Sequence, residues 1–313
     1  MLANLTETSV KRYEHNMWHK SWLFVLGVGA FVLLPALLWA QPAADPTAEL
    51  AKQLQTRVPA GTLQWFEAGT EKWLALVEPE ITGTPQGAVI LLHDSGQHLD
   101  SPGVTTQFRK SLPEFGWMTV SLYNPIIHGS ALTEKNAPDA LKATQGAVRA
   151  AIQKLSTQGI SNWVLLGYGS GATLAAAMLA ADPGTIRGFI AVSLASSTEA
   201  DPVRFTPAHL QKIMLPILDI YAERDDDAVL RSAPARAAAA KQASAAAQQQ
   251  RKAESFQQSA VAENPFSNTT GVIAYRQITV PGADHLFSGQ EPLLIKRVVG
   301  WLRNHVSATE PTR

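Results

Sequence analysis

Apolar residues fall along this chain in two alternating patterns: short dense blocks, and longer stretches in which they recur every three or four positions. Beyond residue 60 the short blocks read as strands. Residues 63–66 and 73–77 form a predicted hairpin. Gly87–Leu92 (GAVILL) is an unbroken apolar run, as expected of a strand buried on both faces. Trp117–Leu122, 163–166, 188–192, 216–221 and 274–280 follow the same rule. Between them lie helical patterns at 104–112, 137–155 (apolar at Leu141, Val148, Ile152 and Leu155), 172–181 and 292–306. Strands alternating with helices predict one α/β domain over 61–306, a mostly parallel sheet of about eight strands with helices on both faces.

Three stretches break the pattern. Residues 22–40 are apolar without a single charge and follow Lys11, Arg12 and Lys20, which predicts a signal peptide over 1–40 cleaved after Ala40. The polar leader is long, and a start at Met17 rather than Met1 leaves a more compact signal. The same run is long enough for an uncleaved anchor, which is then the chain's one membrane contact. Either way the remainder is expected in the periplasm, with the positive flank inside. Residues 41–60 read as a linker and 307–313 as a tail. Residues 233–262 hold 13 Ala and 6 Gln with little large apolar surface, which predicts a helical insertion lying on the surface without deep packing.

Composition narrows the function classes. Lys+Arg and Asp+Glu balance at 26 each, so the basic surface that nucleic acid requires is missing. Zero cysteine excludes disulfides, thiolate metal sites and cysteine nucleophiles. His93, Asp94 and His98 follow no metal-ligand spacing, and no cofactor or metal is expected. His128 and His209 read as surface histidines. The expected partner is a small molecule or a protein of the cell envelope.

The turn Leu165-Leu166-Gly167-Tyr168-Gly169-Ser170-Gly171-Ala172 follows a strand and opens a helix. His93-Asp94-Ser95-Gly96 follows the third strand, Asp225 follows 216–221, and His285 ends the run Val280-Pro281-Gly282-Ala283-Asp284-His285. In that order the chain resembles the α/β-hydrolase superfamily. More closely, through Ala222-Glu223-Arg224-Asp225 and Tyr275-Arg276-Gln277-Ile278, it resembles an uncharacterised α/β-hydrolase-like family of Gram-negative bacteria (domain of unknown function thirty-five thirty). The resemblance implies a nucleophile elbow at 167–171, an oxyanion loop at 93–96, a triad acid at Asp225 and a triad histidine at His285. Asp226, Asp227 and Asp284 are close enough to stand in for Asp225.

The elbow departs from G-x-S-x-G. Aligning Gly167 and Gly171 with its small residues puts Gly169 where the nucleophile belongs, and glycine removes the strain of that site. A shift by one makes Ser170 the nucleophile but brings Tyr168 into the crowded position. Otherwise Ser170 is a small polar residue capping the helix that follows. Three readings stand: a degenerate hydrolase that binds or scaffolds, a serine ester or peptide-bond hydrolase using Ser170, His285 and Asp225, and water activated by the His285–Asp225 pair. Under the first, Gly169→Ser is expected to bring a hydroxyl within reach of His285. The connection 193–215 is too short for a large lid, so any cleft is open.

Overall fold

The computed structural model describes residues 45–258 and 274–306, and the expected signal at 1–40 and the tail at 307–313 lie outside them. Among the described residues no helix is long and apolar enough to cross a membrane.

Eight strands form one sheet in the order β1-β2-β4-β3-β5-β6-β7-β8. They are β1 (Leu63–Ala68), β2 (Glu71–Glu78), β3 (Gly87–Leu92), β4 (Trp117–Leu122), β5 (Trp163–Tyr168), β6 (Ile186–Val192), β7 (Ile217–Arg224) and β8 (Tyr275–Asp284). The hairpin β1–β2 is antiparallel and β2 joins β4 antiparallel; every pairing from β4 to β8 is parallel. The carboxyl ends of β3 to β8 therefore open on one edge, where the loops of an open α/β sheet converge.

Alternation along each strand feeds two cores. On β3, Ile90 packs in a cluster with Ala147, Val148 and Ala175, which belong to α4 (Ala137–Ser156) and α5 (Ser170–Ala181). Its neighbours Val89 and Leu91 face the other way, towards α2 (Val104–Ser111) and α8 (Glu291–His305) through Phe108, Val298 and Leu302. Burial on both faces is why β3 carries no polar residue.

Two segments depart from the sequence expectation. The linker at 41–60 contains a helix, α1 (Pro46–Gln55), started by Asp45, whose carboxylate accepts from the Thr47 N–H at 2.9 Å. It buries Leu50 and Leu54 against Leu74, Leu76 and Tyr123. The Ala-rich stretch lies in α7 (Asp227–Gln258), and its first half is not superficial. Ala233, Ala239, Ala240 and Ala243 are buried, and Arg236 is wholly buried. The Arg236 guanidinium donates through Nε (2.9 Å) and Nη2 (3.2 Å) to the two oxygens of Asp219 on β7. Tyr275 and Gln277 on β8 donate to the same carboxylate at 2.8 and 3.0 Å. Small alanines permit the close approach, and the ion pair fixes it.

Candidate functional site

The elbow between β5 and α5 turns at Gly169, whose φ of 54° and ψ of −116° place it in backbone space that side-chain-bearing residues rarely adopt. On either side the packing demands glycine. A Cβ on Gly167 would overlap the backbone of Ala172, and one on Gly171 the carbonyls of Leu92 and His93. Gly169 therefore sits in the middle of the tight turn, and Ser170 is the first residue of the helix.

The place of a nucleophilic side chain on residue 169 is taken. A Cβ there would overlap the carboxyl group of Asp94, which reaches in from the loop after β3. Asp94 Oδ1 accepts from two backbone N–H groups, those of Ser95 and Ser170, each at 2.7 Å. In an acyl-transfer site these are the two donors of the oxyanion hole. Oδ2 of the same carboxylate meets His285 Nε2 at 3.2 Å. One acidic side chain thus occupies both the nucleophile's position and the oxyanion's.

His285, in the loop after β8, is held on its other nitrogen. Nδ1 lies 2.7 Å from Oδ1 of Asp225, which is buried and accepts further from Asp226 N–H (2.9 Å), Ala222 N–H (2.9 Å) and the Ser193 hydroxyl (2.6 Å). The other nearby carboxylates do not compete. Asp226 stands 3.8 Å away and largely exposed, Asp227 pairs with Arg231, and Asp284 accepts from Ser288 N–H. The Tyr168 ring stacks on the imidazole at 5.2 Å, and its hydroxyl donates to the His285 carbonyl at 2.9 Å.

Charge follows from this geometry. Burial alone would push His285 down, but hydrogen bonds to Asp225 and Asp94, with their negative charge, reverse that and raise it to about 10. Burial opposes ionisation of both carboxylates. Hydrogen bonds from His285, and from backbone N–H groups, nevertheless hold Asp94 and Asp225 below the usual carboxylate range. At neutral pH the trio is therefore carboxylate–imidazolium–carboxylate. Both ring nitrogens donate, and no lone pair is left on His285 to take a proton from serine or water.

The remaining predicted residues have other tasks. The Ser170 hydroxyl pairs with the Ser95 hydroxyl at 2.7 Å rather than with His285, and it makes no helix cap. Ser95 Oγ accepts from Leu132 N–H at 3.0 Å, and Gly96 N–H donates to the carbonyl of Ile127 in the one-turn α3 (Pro125–His128), so the oxyanion loop is tied down along its length. His93 points into the core. Its Nε2 accepts from Asn124 N–H (3.0 Å), which leaves Nδ1–H to donate to the Asp94 carbonyl (2.8 Å). Burial lowers its pKa to about 4, so it is a neutral brace for the loop bearing Asp94. His128 and His209 are half-buried rather than superficial, each bonded to a carbonyl, Gln97 and Val203 respectively, at 3.0 Å. His98 uses Nδ1 to accept from Asp100 N–H. No group of three or more His, Cys, Asp or Glu suited to a metal ion occurs among the described residues.

Above the trio lies an open cleft of about 330 Å³, lined by Leu132, Thr173, Ser196, Arg204 and Val229 among others. The connection between β6 and β7 contributes only the one-turn α6 (Thr206–Leu210) and no lid. Sequence reasoning missed Ser193, a fully buried residue held at φ 52° whose hydroxyl fixes Asp225, and Asn124, which orients His93. Neither residue belongs to a motif.

Solved structures with the same fold include Est1E from Butyrivibrio proteoclasticus (14% identity, TM-score 0.54, covering 78% of this chain and 98% of that one). A putative α/β hydrolase from Agrobacterium tumefaciens matches at 16% identity and TM-score 0.54 (79% and 99%). An α/β serine hydrolase homologue from Coxiella burnetii matches at 14% and 0.51 (79% and 98%). At such identities the likeness establishes the α/β-hydrolase fold alone. No curated protein matches the sequence. The family model described as "Protein of unknown function (DUF3530)" matches residues 34–148 and 132–269, three quarters of the chain, and on that extent the chain belongs to this α/β-hydrolase-fold family.

Proposed function

We propose that the protein is a degenerate serine hydrolase: it keeps the fold, the acid and the histidine, has no working serine, and acts by binding in the cell envelope. One observation carries the reading. The Asp94 carboxylate fills both the place of a nucleophile on Gly169 and the paired N–H groups that would receive an oxyanion. An ester carbonyl entering the cleft finds no free donor pair, and Ser170 finds no base. What remains is a cleft with serine hydroxyls, an arginine and a few apolar side chains, suited to holding a small molecule or a loop of an envelope protein.

Labelling with a fluorophosphonate probe tests the loss of serine chemistry, with wild type and Ser170→Ala side by side. No serine label is expected. A label that disappears with Ser170→Ala would restore the hydrolase reading. Export to the periplasm belongs to the same proposal, supported by the charge-free run at 22–40 behind a basic flank. Protein recovered from the envelope should begin at Gln41; an intact leader in the membrane fraction would mean an anchor, and recovery from the cytoplasm would remove the envelope role.

A further inference from the structure

We propose that the cleft binds small zwitterions of dipeptide size, with a free ammonium group at one end and a free carboxylate at the other. The inference rests on the binding reading above and deepens it by naming what is bound. The cleft has a donor portion built on Arg204 and an acidic portion beside His285, and each keeps hydrogen-bonding capacity that the protein does not fill.

Arg204 is braced before any ligand arrives. Its Nε donates to Asp201 Oδ2 and its backbone N–H to Oδ1 (3.1 Å), and Asp201 is buried. Nη1 donates to the Leu132 carbonyl at 3.1 Å. Held at these points, the guanidinium lines the cleft, and its Nη2 has no partner among the described residues. Ser197, whose N–H donates to the Arg204 carbonyl, lines the cleft beside it. A guanidinium already fixed in place, with N–H groups to spare, receives a carboxylate at little cost in ordering.

The portion beside His285 is negative. Three carboxylates, Asp94, Asp225 and Asp226, share one imidazolium. Asp225 spends both oxygens on protein donors. Asp94 Oδ2 has only His285 Nε2, and the largely exposed Asp226 has the imidazolium at 3.8 Å as its one cationic neighbour among the described residues. Both aspartates line the cleft. Arg204 does not neutralise them, because its one ion pair among the described residues is with Asp201. A simple anion therefore meets the excess negative charge, and a simple cation leaves the guanidinium donors empty. A zwitterion answers both, its ammonium group on the aspartates and its carboxylate on Arg204. Leu132, Ala195, Ala228 and Val229 supply an apolar lining for a side chain, Gly169 puts none in the way, and about 330 Å³ admits a dipeptide.

The test is isothermal titration calorimetry of the purified full chain at pH 7 and low salt, with three probes of one shape: alanyl-leucine, its N-acetyl derivative without the ammonium group, and its C-terminal amide without the carboxylate. The free dipeptide should bind about tenfold or more tightly than either blocked form. Asp226→Asn changes an exposed side chain and should weaken the free dipeptide and the amide about threefold to fivefold while leaving the N-acetyl form unchanged. Arg204→Gln should weaken the free dipeptide and the N-acetyl form and leave the amide unchanged, and its thermal melt verifies folding. If that variant fails to fold because Asp201 loses its cation, the comparison of free dipeptide with amide decides the carboxylate end alone. Equal binding of the N-acetyl form, which would mean a reader of carboxyl termini, would overturn the proposal. So would equal binding of the amide, losses in Asp226→Asn that ignore the ammonium group, or no heat from any probe. Each of these leaves the loss of serine chemistry standing, because that reading falls only to a fluorophosphonate label on serine.

Discussion

Replacing Gly169 with serine, the exchange that would restore the hydrolase pattern, should fail as a single change. The new Cβ overlaps the Asp94 carboxyl group, so Asp94 must leave. Its departure breaks two hydrogen bonds from backbone N–H to a carboxylate, each worth about 1.5–3 kcal/mol. Serine at φ 54° adds backbone strain of about 1–3 kcal/mol. A loss of about 4 kcal/mol or more is therefore expected, a large share of the roughly 5–15 kcal/mol that holds a typical domain together. Asp94→Gly alone also destabilises, because the same bonds are lost. In the Gly169→Ser background it should cost little further, since the displaced carboxylate has already given up those bonds. That failure of additivity is the sharp expectation, and urea unfolding of the two single variants and the double variant measures it. The double variant also frees the N–H groups of Ser95 and Ser170 and leaves His285 with only Asp225 as a carboxylate partner. The imidazole can then serve as a base, so slow hydrolysis of 4-nitrophenyl acetate, abolished by His285→Gln, should appear. A Gly169→Ser protein within about 1 kcal/mol of wild type, or a crystal structure with the new serine beside an unmoved Asp94, would refute the reasoning.

Three further outcomes follow from the buried ionisable groups. His93 has a folded pKa near 4 against an ordinary value of 6.5, so the unfolded chain binds more protons between those limits. Stability should be full above pH 6.5 and fall by about 3 kcal/mol on acidification to pH 4, at about 1.4 kcal/mol per pKa unit; His93→Gln should flatten that slope in acid unfolding. His285 has the opposite sign: with a folded pKa near 10 it contributes stability that is full below pH 6.5 and lost as pH rises through 10. Asp94→Asn should remove part of this alkaline slope, and an unchanged slope would dissociate Asp94 from the imidazolium. Arg236→Met leaves Asp219 buried without its cation and should cost about 3–5 kcal/mol in urea unfolding; a near-neutral result would mean the first half of α7 is not anchored there.

The strands were legible because burial on two faces forces an unbroken apolar block, and β3 and β4 come out with the bounds read from the sequence. Parallel order, the elbow and the Asp225–His285 pair were legible through motif order. What stayed hidden depends on side chains meeting across long separations. Asp94 and Gly169 are 75 positions apart, and no local signal says that an oxyanion-loop aspartate turns into the elbow rather than out to solvent. The helix at Pro46–Gln55 hid behind three small or isolated apolar positions. The packing of α7 hid because a lone arginine in an alanine run reads as solvated until Asp219 is found beneath it.

Gly169 and Asp94 are therefore one feature of the molecule rather than two departures from a pattern. Glycine at the elbow is what gives the carboxylate room, and the carboxylate is what satisfies two N–H groups that would otherwise face the cleft with no protein partner. The imidazolium follows from both, because His285 sits between Asp94 and Asp225 and neutralises one of them. A carboxylate in that position with a neutral histidine would leave two negative charges partly buried and uncompensated, which is far costlier than protonating the ring. The three states, glycine at 169, ionised Asp94 and protonated His285, stand or fall together, and the paired variants at 94 and 169 probe that coupling directly.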